Sequence, residues 1–312
     1  MTQFHNVNSL MRFVWISAIA TVALLAGCGR DSKQAPVEMS GATKPAINTD
    51  RQMTPEEAEA ALEKASSRNE EALARTEIAK PGEKGWKPSK DGLGELGAAL
   101  DTTFAGMNNA RCEGRITYAI PLGTMDIQLA ADIQDEQTFH VAFVLPEHPD
   151  SMNRAIGNGE RRAMLLADEW KELPSYSRNG GTVKMDEKGL EKFEIAFPQL
   201  MWSQYTEGKS VWEPLFSALQ KGVGGYKARV ERQIASRNDE ERSMIRVYAS
   251  TEEGEPTQIE VIIDESHMLP VTVRVVKQLE DGERTRIMWT GAWAFGGKYK
   301  PNAFVIPVPE PN

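Results

Sequence analysis

The chain has 312 residues, 40% of them hydrophobic and 26% charged, with a formal net charge of −9. The apolar fraction is too high for a wholly disordered chain, and the acidic balance argues against a general nucleic-acid binder, whose phosphate-binding surface needs clustered Lys and Arg. Two cysteines are too few for a disulfide scaffold or a cysteine-based zinc module.

Residues 1–12 are polar, with Arg12 as their only charge, and an apolar run follows from Phe13 to Leu24. A bilayer span needs about 20 such residues. A short apolar core after a positive charge reads instead as a signal peptide, residues 1–27. It ends in Leu25-Ala26-Gly27-Cys28, which resembles the bacterial lipobox. The resemblance implies cleavage before Cys28, attachment of lipid to its thiol, and a lipid-anchored protein of the cell envelope. One acyl chain holds a protein weakly, whereas two or three hold it stably. Gly29 stands where an Asp would resemble an inner-membrane retention signal, so the expectation leans to the outer membrane, facing the periplasm. Cys112 then has no intrachain partner, and the body must fold without a disulfide.

Residues 28–53 are polar, carry Pro, Gly and Ser and have no apolar period. They read as a flexible tether with an end-to-end distance of about 28 Å. Residues 54–80 read as a peripheral helix: Thr54-Pro55-Glu56-Glu57 is a capping box, Glu71 and Arg75 pair at i,i+4, and the apolar stripe is thin. Residues 81–92 form a Pro/Gly/Lys linker, and the main domain is expected over 91–312. Leu93, Leu96, Leu100, Phe104 and Met107 mark an amphipathic helix over about 93–109, capped near Asp91.

From Cys112 the period becomes two. Ile116, Tyr118 and Ile120, then Met125, Ile127 and Leu129, then Phe139, Val141, Phe143 and Leu145 mark half-buried antiparallel strands, with a turn at 135–137. The segment 153–162 is polar and contains Gly, so a loop is expected there. Residues 163–173 read as a hairpin turning near Asp168-Glu169, or as a short helix. Two helices are expected at about 187–202 and 209–221, limited by Pro198 and Pro214. Alternation resumes with Tyr226, Ala228, Val230 and Ile234, and continues through Ile245, Ile259, Val271 and Ile287 to Trp289, Trp293 and Phe295. Residues 280–283 hold an Asp-Gly hairpin turn, and Ala303–Ile306 a short last strand. The total is about nine to eleven strands in hairpin runs without a βαβ rhythm.

This order, helix, meander, helical insertion, meander, is similar to the lipoprotein-carrier superfamily of bacterial envelopes, the LolA/LolB-like proteins and RseB-type sensors. The likeness is carried by Ile262-Ile263-Asp264-Glu265, Leu269-Pro270-Val271, the Asp281-Gly282 hairpin, Ile287-Met288-Trp289, and Phe304-Val305-Ile306-Pro307 as closing strand, with the Leu93–Met107 helix ahead of the first strand. It spans roughly 91–307. It implies an α+β fold: a strongly curved antiparallel sheet, or incomplete β-barrel, covered by helices, whose apolar concavity takes acyl chains. The 54–80 helix is extra, and the stretches 146–162 and 175–224 are long.

The residues independently give a reason for such a site. A curved sheet with Tyr118, Phe139, Phe143, Trp289 and Trp293 inside must be covered, and the 209–221 helix offers Trp212 and Phe216. If the helices fill the face, these seven residues are core. If the helices move, the same seven line a pocket for a lipid or lipoprotein. No nucleophile elbow, P-loop, dinucleotide fingerprint or HExxH occurs, and no metal, cofactor or catalytic set is expected. His148 beside Glu147 and Asp150 reads as a solvated loop. Arg161, Arg162, Arg229, Arg232 and Arg237 could meet lipid headgroups or an acidic partner, but a strand surface paired with Glu231 and Glu240 is the favoured reading. Cys112 reads as a buried small residue. The expectation is a non-enzymatic envelope binding protein or, with a filled core, a sensor or interaction lipoprotein.

Overall fold

The computed structural model describes residues 67, 70–72, 74–120, 123–145, 148–166, 169–173, 181–237, 240–251, 257–278, 284–299 and 302–306. The chain divides into two units, 1–56 and 57–312, and the described residues belong to the second. The signal peptide, the tether with Cys28, most of the 54–80 helix and the 280–283 turn lie outside them.

Among the described residues twelve strands form one sheet: β1 (Lys87–Pro88), β2 (Ala110–Ile120), β3 (Gly123–Ile133), β4 (Thr138–Leu145), β5 (His148–Asn158), β6 (Arg162–Leu166), β7 (Glu169–Glu172), β8 (Tyr226–Arg237), β9 (Glu240–Thr251), β10 (Gln258–Asp264), β11 (Leu269–Gln278) and β12 (Arg284–Phe295). Their order is β1-β8-β9-β10-β11-β12-β2-β3-β4-β5-β6-β7, with every ladder antiparallel. The sheet is an incomplete barrel, open between β1 and β7. Two meanders, β2–β7 and β8–β12, are welded where β12 pairs with β2, Trp289 opposite Ile116 and Trp293 opposite Cys112. After β7, at one edge, the chain must reach β8 near the other. The helices on that crossover are α2 (Glu187–Leu200), α3 (Ser203–Thr206) and α4 (Trp212–Gln220), and they lie inside the curve with α1 (Leu93–Ala105). One hydrophobic cluster takes in side chains of all four cover elements and of both meanders.

The structure corrects several expectations. Residues 148–158 are a strand rather than a loop. Phe139 pairs with Gly157, and a Cβ on Gly157 would stand 2.6 Å from the Phe139 ring, so glycine here seats an aromatic. The hairpin at 163–173 is present as β6–β7. The α1 helix ends at Ala105, and Asp91 does not cap it; Gly92 is the cap, and Asp91 pairs with Arg232. The residues 303–306 form no strand: 302–304 are a turn, and Phe304 packs edge-on against Tyr299.

The 81–92 linker is also more than a connection. It carries β1, pairing Lys87 with Arg232 and Pro88 with Glu231, and it straps the convex face of the sheet. The helical residues before it end at Thr76, four residues short of expectation, because Pro81 disfavours helix at Lys80 and Ile78 turns in against Tyr248 and Val276. Beneath the strap Arg246 is 0% exposed. Its guanidinium donates to Glu231 at 2.9 Å and to the carbonyl of Ala79, forms an ion pair with Glu260 at 2.7 Å, and lies over the rings of Trp86 and Tyr248. Gly82 N–H donates to the other Glu231 oxygen at 2.9 Å.

Candidate functional site

Six of the eight site residues read from the sequence, Phe139, Phe143, Trp212, Phe216, Trp289 and Trp293, join Tyr118 in the concave cluster; the eighth, Cys28, lies outside the described residues. Phe139, Trp212, Phe216 and Trp289 are buried, while Tyr118, Phe143 and Trp293 are partly buried at its margin. Burial pushes the Tyr118 phenol up to about 12, against the effect of a hydrogen bond with Gln199 of α2.

Three residues complete the site that were not singled out as ligand residues: Phe104, Trp202 and Tyr205. Phe104 ends the apolar stripe of α1. It sits in a cage of indoles, 6.3 Å from Trp202, 6.1 Å from Trp212 and 5.8 Å from Trp293 between ring centres. Trp202 lies 6.0 Å from Trp293, and Tyr205 lies 5.5 Å from Phe139. The signal for Phe104 was its helical spacing; for Trp202 and Tyr205 it was only their size, since they fall at the break between two helices.

The cover is held at its ends by polar groups. Asp101 of α1 accepts from the N–H groups of Val211, Trp212 and Glu213 at 3.2, 3.1 and 2.8 Å, capping α4 from outside. Burial raises the Asp101 carboxyl above its ordinary range despite these donors. Gly97 lets the two helices touch, since a Cβ there would stand 2.7 Å from Glu213 Cα. Buried Arg162 of β6 donates to the Tyr205 carbonyl at 2.8 Å, and the Tyr205 hydroxyl donates to the Phe104 carbonyl at 2.8 Å. On α2, Glu194 accepts from Tyr226 at 2.9 Å and from Lys277 at 2.6 Å. The α2 helix is itself broken at Ala196, two residues before Pro198.

The indole nitrogens divide. Trp293 Nε1 donates to the Pro270 carbonyl at 2.8 Å. Among the described residues, Nε1 of Trp202, Trp212 and Trp289 is buried with no acceptor. A buried donor left unpaired costs about 1–3 kcal/mol.

Two clefts of about 650 and 410 Å³ lie elsewhere, and neither includes any of the seven expected ligand residues. The first lies between the end of α1 and the 135–138 turn; the second between α2 and Tyr226, Thr251 and Lys277. Two of the arginines are paired: Arg161 with Glu172, and Arg232 with Asp91 and Glu265 rather than with Glu231, which pairs with Arg246. Cys112 is buried, and burial pushes its thiol up, away from the thiolate a nucleophile needs. His267 lies in the 265–268 turn, stacked 5.0 Å from Phe295.

No protein-family model and no curated protein matches the chain. Several solved structures are similar to it. A putative outer membrane lipoprotein-sorting protein domain from Vibrio parahaemolyticus is 11% identical, with a TM-score of 0.29 over 68% of this chain and 95% of that one. The MucA/MucB complex of Pseudomonas aeruginosa gives 10%, 0.36, and 69% and 60% coverage. A LolA superfamily protein from Nitrosomonas europaea gives 9%, 0.28, and 69% and 98%.

Proposed function

We propose that the protein is a lipid-anchored binding protein of the cell envelope, fixed to a membrane through Cys28, that holds or passes on an acyl-bearing ligand against the concave face of its sheet. The observation that carries this reading is the construction of the cover. An aromatic concave face is closed by short, interrupted helices fastened by polar groups at their ends rather than by a second sheet. Polar fastenings exchange for water at little cost, about 0.5–1.5 kcal/mol per hydrogen bond. Apolar packing beneath them can be replaced by a hydrocarbon chain, which contributes about 0.8 kcal/mol per buried CH2. Binding and release then need no bond chemistry. Outer-membrane placement facing the periplasm belongs to the same reading and rests on Gly29.

A second reading is favoured by how fully the concave residues are buried in the free protein. On this reading the core stays closed, and the protein works as an envelope sensor or interaction lipoprotein through its surface. Native and denaturing mass spectrometry of the purified chain separates the two. Stoichiometric acyl-bearing lipid, or a thermal shift on adding lipid, supports the binding protein. A clean protein mass with no shift sinks it in favour of the second reading.

A further inference from the structure

We infer that the end of the sheet carrying Ile234, Phe295 and Val305 is a second, non-covalent membrane contact, which rests flat on the bilayer that holds Cys28; this depends on the lipid anchor of the reading above and not on any concave ligand. Ile234, Phe295 and Val305 are the exposed large hydrophobic side chains among the described residues, at 68%, 46% and 60% exposure. Scattered singly, such residues are ordinary on a protein surface. These three follow one rim instead, where β8, β10, β12 and β3 finish. Ile234 stands opposite Ser243, whose carbonyl accepts from the Glu265 N–H at 3.1 Å. Two residues on, His267 stacks on Phe295, and Phe295 stands opposite Ala110. The Tyr299 hydroxyl lies 3.0 Å from the Ala110 carbonyl oxygen and 2.6 Å from that of Ile133, and its ring carries Phe304, next to Val305. The rim is held in shape. Met268, which ends the turn bearing His267, sits at a φ of 49° with its side chain packed on the core.

The spacing describes the occupant. β8 and β12 are four strands apart, so Ile234 and Phe295 stand about 19 Å apart. A surface that meets both, and Val305 beyond them, is broad and flat rather than a chain in a groove. Charge agrees that the contact is apolar. The arginines Arg242, Arg232 and Arg111 at this end are paired, with Asp264, with Asp91 and Glu265, and with Asp132, so they form no basic patch for anionic headgroups. The path of the chain points to the bilayer. On the convex face Glu71 acts on the charge of Arg115, Arg75 on Asp126 and Glu77 on Arg286. Asp126 and Arg286 stand opposite Thr117 and Ala119. Residues 71–77 therefore follow β2 away from Ala110, and the N-terminal side of this helical segment faces the rim. About 40 residues separate Cys28 from residue 67, up to about 130 Å of chain, enough for the rim to reach a membrane that holds Cys28.

The test reconstitutes the lipidated chain into vesicles of phosphatidylethanolamine and phosphatidylglycerol, with one environment-sensitive fluorophore on an introduced cysteine. Ile234→Cys and Val305→Cys place it on the rim, and Lys227→Cys places it near the opposite end of β8. Acylation blocks Cys28 and Cys112 is buried, so the introduced thiol takes the label. With lipid spin-labelled near the headgroup in the vesicles, the rim probes are expected to lose emission and the probe at 227 to keep it. Phe295→Ser with Val305→Ser is expected to return the probe at 234 towards the behaviour of the probe at 227, with the thermal midpoint unchanged because both side chains are exposed. Quenching that is equal at the rim and at 227, or absent from both while the protein stays on the vesicles, overturns the inference and leaves the anchor standing. A spectral shift of the rim probes without quenching, growing with protein density, makes the rim a contact between copies and also overturns it. A chain recovered without an acyl group on Cys28 and free of the vesicles overturns the anchor and this inference with it.

Discussion

Glycine at 157 and 291 is explained by the rings that lie on it. A Cβ at Gly157 would meet the Gln137 carbonyl oxygen at 2.3 Å and the Phe139 ring at 2.6 Å, and one at Gly291 would meet the Trp289 ring at 2.3 Å. Both rings are buried on the concave side and have nowhere to retreat. Gly157→Ala and Gly291→Ala are each expected to lower stability by about 1–3 kcal/mol, as overpacking does, read as a shift of the denaturation midpoint at constant slope. Two carboxylates should leave opposite marks on pH dependence. Asp91 is held below the ordinary range by its hydrogen bond to Arg232 and then by Ser89. Its contribution is complete above the unfolded value and is lost as pH falls through the folded one. Asp101 is raised by burial, so its ionised form is penalised in the fold. Its contribution therefore improves as pH falls from its folded value towards the unfolded one. Relative to wild type, Asp91→Asn should be most destabilising at pH 7 and converge with wild type in acid. Asp101→Asn should diverge further from wild type between pH 7 and pH 4. Thermal midpoints across that range decide both.

At the level of elements, the convex face is where charge is unexpectedly buried. Removing Arg246 unbalances its cluster: Arg246→Ala takes the cation from buried Glu231 and leaves Glu260 with Arg274 beneath the 78–88 strap. That change is expected to cost about 3–5 kcal/mol. Adding Glu231→Gln and Glu260→Gln should recover a substantial part, since neutral groups lose less on burial; denaturation of the single and triple variants checks this. The same cluster marks a limit of legibility. Strands and their inner faces were readable, because period-two alternation of Ile, Val, Phe and Trp is dictated by one buried face. The outer face was read as solvated, because alternation says which residues oppose the core and nothing about a second layer. Only the strap of residues 78–88 turns Glu231 and Arg246 into buried groups, and its composition is that of a linker. β5 was missed for a related reason: its place against Phe139 requires Gly157, and glycine in a polar stretch reads as loop. The five concave strand residues were legible from parity and size, and Trp212 and Phe216 from their size on a helix. Phe104, Trp202 and Tyr205 were not, because their roles depend on how the helices cross the sheet.

For the whole molecule, strand order makes the cover separable from the sheet. β2–β12 form a continuous ladder whose hydrogen bonds include none from α2, α3 or α4. Those helices enter and leave at opposite ends of the sheet order, after β7 and before β8. They can lift without breaking a ladder, giving up, among the described residues, fastenings such as those at Asp101, Arg162, Glu194, Tyr205, Gln199 and Gln220, and the packing on the cage. A permanent core would couple cover and sheet in one cooperative unit, whereas a cover that opens has its own, smaller opening free energy. Hydrogen exchange reads this directly. Amides of α2 and α4 are expected to exchange through openings smaller than global unfolding, while the central strands β9–β12 exchange only globally. Asp101→Ala should lower the opening free energy of α4 and leave that of β10 near its value corrected for global stability. Exchange of α4 and β10 with one common free energy, unchanged in relation to each other by Asp101→Ala, would mean that the cover does not open independently and that the closed-core reading is correct.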